Sequence, residues 1–232
     1  MSKKVAIVQS SYIPWKGYFD LIHAVDEFIL FDDVQYTRRD WRNRNLVKTR
    51  EGTAWLTIPV KAAGNYLAPI KDIEVEGERW REKHWRTLVA SYARASHFDD
   101  YAETVEAVYR GTQKRLSEVN RAFLEAICGL LGIETRLSWS MDYEVVEGKT
   151  ERLVHLCRQA GASSYVSGPT ARAYLEPALF EAAGIAVSFF DYSAYPEYPQ
   201  LFPPFKHEVS VLDLLFNEGA RATSRMLTFD KP

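Results

Sequence analysis

Between Tyr36 and Asn45 the chain reads Tyr-Thr-Arg-Arg-Asp-Trp-Arg-Asn-Arg-Asn, with four arginines around one tryptophan and three amide or carboxylate groups. Guanidinium forks match phosphates and carboxylates in bidentate geometry. Arg38, Arg39, Arg42 and Arg44 therefore suit the phosphates of a nucleotide or sugar nucleotide, with Trp41 stacking on a base or sugar face and Asn43 and Asn45 among them. The alternative is a solvated basic loop with Trp41 tucked inward. Just upstream, Asp32 and Asp33 are candidate Mg2+ ligands, although adjacent strand residues point to opposite faces, so only one should reach a given site.

Further polar groups cluster at what should be the ends of strands. Gln9, Ser10 and Ser11 follow the apolar run Val5–Val8, and Gln35 follows the run ending at Phe31. Lys16 and Gly17 open a helical stretch, where a phosphate could meet free N–H groups and a lysine charge. Ser167 and Gly168 end a third apolar run, and Arg172 lies in the first turn of a helix expected to begin near Thr170. The Pro- and Tyr-rich stretch Ala194–Ser210 offers Tyr195, Tyr198, Gln200, Lys206 and His207 as contacts of a lid or a subunit interface. Gln9, Asp33 and His207 are the candidates for catalysis. His84 on a Trp-rich face, and His155 with Cys157 on one helix without facing each other, read better as packing residues.

The elements needed to position these groups form an α/β pattern. A strand at Val5–Val8, a helix over Phe19–Val25 and a strand at Phe28–Phe31 open the chain, and Trp55–Val60 reads as a third strand. A loop with Gly64, Asn65 and Pro69 follows, then Ile73 and Val75 as a short edge. Residues 78–132 show only helical periodicity, after which Thr135–Trp139, Ser164–Val166 and Ala186–Phe190 alternate with helices at Thr150–Gln159 and Thr170–Ala182. This implies a single domain over residues 1–232: a doubly wound, mostly parallel sheet with a helical insertion between strands 3 and 4. Ligands of such sheets bind at the carboxyl ends of the strands.

The chain has 232 residues and a formal net charge of -2, with no global electrostatic bias toward nucleic acid. No apolar run reaches the ~20 residues of a membrane helix, and the N-terminal segment lacks a signal-peptide core, so a cytoplasmic protein without membrane insertion is expected. Cys128 and Cys157 fall in expected helices without zinc-type spacing and read as reduced, semi-buried thiols.

VQSSYIPWKGYFDLI, FDDVQYTRRDWRNRN, AWLTIPV, KTERLVHLCRQAGASSYVSG and PEYPQ followed by VSVLDLLFNEG together resemble the bacterial WbqC-like family along nearly the whole chain. The resemblance implies a role in gene clusters for O-antigen or other surface polysaccharides. More faintly, Trp15-Lys16-Gly17-Tyr18 is similar in position to the His-x-Gly-His phosphate motif of HIGH-type nucleotidyltransferases and pantothenate synthetase-like ligases, without its imidazoles; Trp15 and Tyr18 could instead staple the helix to the sheet. These resemblances imply amide formation on a nucleotide-linked amino sugar, by acyl or aminoacyl transfer or by ATP-dependent ligation, with ATP and Mg2+ or an acyl-CoA donor as cofactor. A non-catalytic sugar-nucleotide or partner-binding protein is the alternative. The Trp and Tyr content makes a homodimer an expectation.

Overall fold

The computed structural model describes residues 2–62 and 67–229; the loop expected at Gly64 and Asn65 lies outside them. Five strands form one parallel sheet: β1 (Lys4–Val8), β2 (Glu27–Leu30), β5 (Arg136–Trp139), β6 (Ser164–Ser167) and β7 (Ala186–Phe189), in the spatial order β5-β2-β1-β6-β7. The strand alternation places Val5 and Ile7 on one face of the sheet and Ala6 on the other. Both faces are covered. Helices α5 (Thr150–Gln159) and α6 (Pro177–Ala182) pack Leu153, Leu156 and Phe180 against Val5, Ile7, Ile29 and Tyr165. Opposite them, α1 (Lys16–His23), α4 (Leu116–Leu131) and α7 (Val211–Glu218) pack against Ala6, Phe28, Leu30 and Val166. A sheet buried on two sides favours apolar strand residues; β2 is buried throughout, with Phe28–Leu30 apolar and the Glu27 carboxylate satisfied by Lys3, Ser138 and Tyr143.

Two expectations are corrected. Trp55–Val60 does not join the main sheet: β4 (Gly52–Thr57) pairs antiparallel with β3 (Arg44–Thr49) as a separate hairpin. Trp55 is 45% exposed while Leu56 is 2% exposed, and a strand buried on one face only belongs at the periphery of such a fold. Gly52, at φ 125°, makes the turn with a backbone that other residues rarely adopt. The hairpin, α2 (Arg79–Tyr92), α3 (Phe98–Tyr109) and α4 thus all fall between β2 and the next strand of the sheet, β5. The helix expected over Thr170–Ala182 is a 3-10 turn at Pro169–Ala173 followed by α6, because Pro177 lacks the N–H that a helix interior requires and takes the first helical position instead.

A buried carboxylate fastens the chain's two distant ends. Asp20 on α1 accepts hydrogen bonds from the backbone N–H groups of Leu227 (3.0 Å) and Thr228 (2.9 Å), the Thr228 hydroxyl (2.6 Å) and the Tyr195 hydroxyl (2.5 Å). Removing it strands several buried donors. Asp20→Ala should therefore lower unfolding stability by about 3 kcal/mol in urea titration; an unchanged midpoint would contradict this role.

Candidate functional site

In chain order the sheet strands run third, second, first, fourth, fifth, so the connections diverge on either side of β1, between β2 and β6. At such a point the loops leaving two neighbouring strands separate and open a crevice. A cavity of about 410 Å3 lies there, lined by Gln9 after β1, Ser167 and Gly168 after β6, Thr170, Tyr174, and the start of α5 with Gly148, Lys149 and Arg152. Gly148 has φ 97°, turning the chain into α5, whose first residue Thr150 is buried. Free backbone N–H groups of that first turn, the Lys149 ammonium and the Arg152 guanidinium therefore share one crevice, a combination suited to phosphate. Asp33 holds Arg152 in place through an ion pair, and its second oxygen accepts from the Ser140 hydroxyl. The Arg152 guanidinium also lies 5.2 Å from the centre of the Phe31 ring.

Lys149 and Arg152 went unread in the sequence. The available signal was Gly148-Lys149-Thr150 at a helix start, the end of the phosphate-loop pattern without its first glycine. Glu151 folds over Gly148, where a Cβ would meet its Oε2 at 2.3 Å.

Of the arginine segment, only Arg42 turns into the region of β1. It lines a second cavity of about 260 Å3 on the other side of that strand, with Val8, Ser11, Pro14, Trp15, Tyr18, Trp41, Asn45 and Glu208. Arg42 Nη1 donates to Gln9 Oε1 at 3.1 Å, and Gln9 also lines the crevice, so this pair and Val8, which borders both, lie between the two cavities. Arg44 stacks 4.1 Å from the Trp55 ring centre, Trp55 sits 5.5 Å from Trp41, and the Arg38 guanidinium donates to the Ala62 carbonyl at 3.4 Å. The four arginines do not converge on one anion. Asn43 Nδ2 bonds the Ile58 carbonyl, and Asn45 Nδ2 bonds those of Tyr12 and Ile13, so both amides hold loop backbone.

Ser10 is buried and structural in its contacts: its N–H donates to Asp32 Oδ1 at 2.8 Å and its hydroxyl accepts from Asn120. Asp32 also accepts from Ser117, so its oxygens and those of Asp33 are occupied by different donors on opposite sides of the chain. The two carboxylates do not form a joint metal site, and no group of three or more His, Cys, Asp or Glu positioned to hold a metal occurs among the described residues. Gln35 bridges Pro69 through its backbone, and Arg172 stacks 4.8 Å from the Phe189 ring, outside the crevice lining. Gly17 is covered by an indole: a Cβ there would lie 2.3 Å from the Trp15 ring. Cys128 and Cys157 are buried thiols whose pKa burial pushes up to about 12.

Lys16 belongs to a third setting. It is 2% exposed, with Nζ 4.9 Å from the ring centres of both Tyr195 and Tyr198, and it donates to the Pro196 carbonyl at 3.4 Å. Tyr198 donates to Asp213, and Gln200 clasps the Lys206 backbone, closing the loop over the lysine. His207 stacks edge-on to Phe205 in the same loop; burial, then the nearby Lys16 charge, lower its pKa. Burial brings the Lys16 pKa down from 10.5 to about 8, against the pull of Asp20 and Asp213. Between those two values the unfolded chain binds more protons at this residue than the folded one, so its contribution to stability improves as pH rises. Lys16→Met should be more stable than the parent near neutral pH, with the advantage shrinking as pH climbs from about 8 toward 10.5 in urea unfolding. A pH-independent difference would contradict the buried-charge account.

A family model for the WbqC-like protein family matches residues 9–225. The chain is similar to the uncharacterized protein Rv1507c of Mycobacterium tuberculosis (strain H37Rv), with 52% identity over 221 residues that cover 95% of this chain and 96% of that one. No solved structure matches it. The family match takes in every strand of the sheet beyond β1 and the lining of both cavities apart from Ile7 and Val8, and the chain belongs to the WbqC-like protein family.

Proposed function

We propose that this protein binds a nucleotide-linked amino sugar with its diphosphate in the β1/β6 crevice, and that it forms an amide on the sugar's amino group in surface-polysaccharide assembly. The observation that carries the reading is the meeting of Lys149, Arg152 and the α5 N-terminus at the divergence point of the sheet. Positive groups at a helix start, one of them braced by Asp33, suit a diphosphate better than a neutral sugar alone. Ser167, Thr170, Tyr174 and Gln9 add hydroxyl and amide groups suited to a ribose or sugar ring. The acyl unit would come from an acyl-CoA, releasing the free thiol, or from an acid activated by ATP with Mg2+. This part of the reading rests on the family's association with polysaccharide clusters.

A second reading has its own support: the residues lining the crevice include no carboxylate or imidazole to take the amine's proton. It makes the protein a sugar-nucleotide binder that acts on the ligand through a partner. Thermal stabilisation separates the cases, since a ligand that binds only the native state raises the melting temperature. UDP and UDP- or dTDP-amino sugars should raise it; Lys149→Ala should reduce the shift while leaving the ligand-free melt near that of the parent, and adding Arg152→Gln should abolish it. No shift with any nucleotide, or an undiminished shift in the double variant, would overturn the crevice assignment. A new amide in the mass spectrum after adding ATP or acetyl-CoA would favour the enzyme; binding without product would favour the second reading.

A further inference from the structure

The cavity of about 260 Å3 on the α1 side of β1 is too small for a nucleotide and has an unusual lining. Its walls are apolar and mostly aromatic, from Trp15, Tyr18, Trp41 and Pro14, yet it carries one charge of each sign. At its inner end stands Arg42, only 9% exposed. Nη1 of that guanidinium bonds Gln9, while its Nε is buried with no hydrogen-bond partner among the described residues and pairs only loosely with Asp40 Oδ2, at 4.0 Å. A buried guanidinium with an unfilled donor is costly unless an anion completes it. Glu208 lines the same cavity from the exposed side. Asn45 offers little more, because its amide already serves the Tyr12 and Ile13 carbonyls and the Leu46 N–H.

We propose that this cavity is a binding site for a free α-amino acid with an apolar side chain: the carboxylate on Arg42, the ammonium toward Glu208, and the side chain between the Trp15 and Trp41 indoles. The charges decide against other occupants of similar size. A neutral pyranose leaves Arg42 with only its loose pairing to Asp40, and an amino sugar brings a cation to it. The inference goes beyond the nucleotide reading, since the site has its own lining and meets the crevice only at Val8, which borders both, and at the Gln9–Arg42 contact.

The test is isothermal titration calorimetry with L-leucine and L-phenylalanine as probes, against L-leucinol, which lacks the carboxylate, and N-acetyl-L-leucine, which lacks the cation. At least one amino acid should bind with a dissociation constant on the order of 1 mM, and each leucine analogue should bind at least about tenfold more weakly than L-leucine. Arg42→Gln should remove the binding. Glu208→Gln, at the exposed mouth where folding is not at stake, should weaken L-leucine and leave N-acetyl-L-leucine unchanged. The proposal is overturned by the absence of heat with both amino acids up to about 10 mM, by leucinol binding as tightly as leucine, or by glucosamine or glucuronate binding in their place. UDP supplies the control: if amino-acid binding persists where UDP fails to bind, the nucleotide reading falls and this one stands.

Discussion

A buried polar network at the carboxyl end of β1 holds both cavities in register. Asp32, fully buried, accepts the Ser10 N–H from the β1 exit and the Ser117 hydroxyl from α4, while Asn120 on α4 reaches both the Ser10 hydroxyl and the Arg42 carbonyl. The Tyr12 N–H adds a bond to the Trp41 carbonyl at 3.0 Å. Three segments far apart in the chain are thereby fixed to one another: the strand exit, the arginine turn and the first turns of α4. Burial pushes the Asp32 pKa up, and the Ser117 and Ser10 bonds pull against it. The network is costly to build and loses most when one member is missing, so it specifies a single arrangement of Gln9 and Arg42.

The parts of the site legible in the sequence were those that depend on strand ends. Apolar runs closing in Gln9 and in Ser167-Gly168 mark where a parallel sheet opens to ligand, and the structure brings these residues into one crevice. Spacing alone leaves the arginine segment open between a phosphate clamp and a solvated loop, because it does not show where each side chain turns. Arg44 begins a strand that alternates its residues between faces, and Arg42 precedes it in a turn, so the two diverge. Trp55–Val60 misled for a related reason, since β-branched and aromatic residues suit a hairpin as well as a central strand. Lys149 and Arg152 escaped notice because a single Gly-Lys-Thr is a weak pattern until a sheet places it beside another strand's end. Glu208 could not have been found this way at all: it reaches its cavity only through the long loop closed over Lys16.

That loop links the site to the rest of the molecule. Carbonyls at Pro196 and Pro204 receive the buried ammonium groups of Lys16 and Lys48, and Tyr198 and Tyr92 both donate to Asp213 beneath it. The aromatic wall of the smaller cavity continues into this loop, where Trp15 packs 5.3 Å from Tyr192 and 5.4 Å from Tyr195. The indole that covers Gly17 is therefore clamped from the loop side, so a side chain at Gly17 would disturb the cavity wall and the loop together. A wider depression of about 750 Å3 beside the hairpin turn and α2 is lined by exposed groups, of which Glu82 and Arg86 pair with each other.

The central claim is that an anionic ligand docks at the start of α5 across from the end of β6, and backbone amide chemical shifts on titration with UDP test it most directly. The largest changes should fall at Thr150, Glu151 and Arg152, with a second group at Ser167 and Gly168. Changes centred on Lys16 and Gly17 or on Arg38–Arg44, with α5 unmoved, would contradict it.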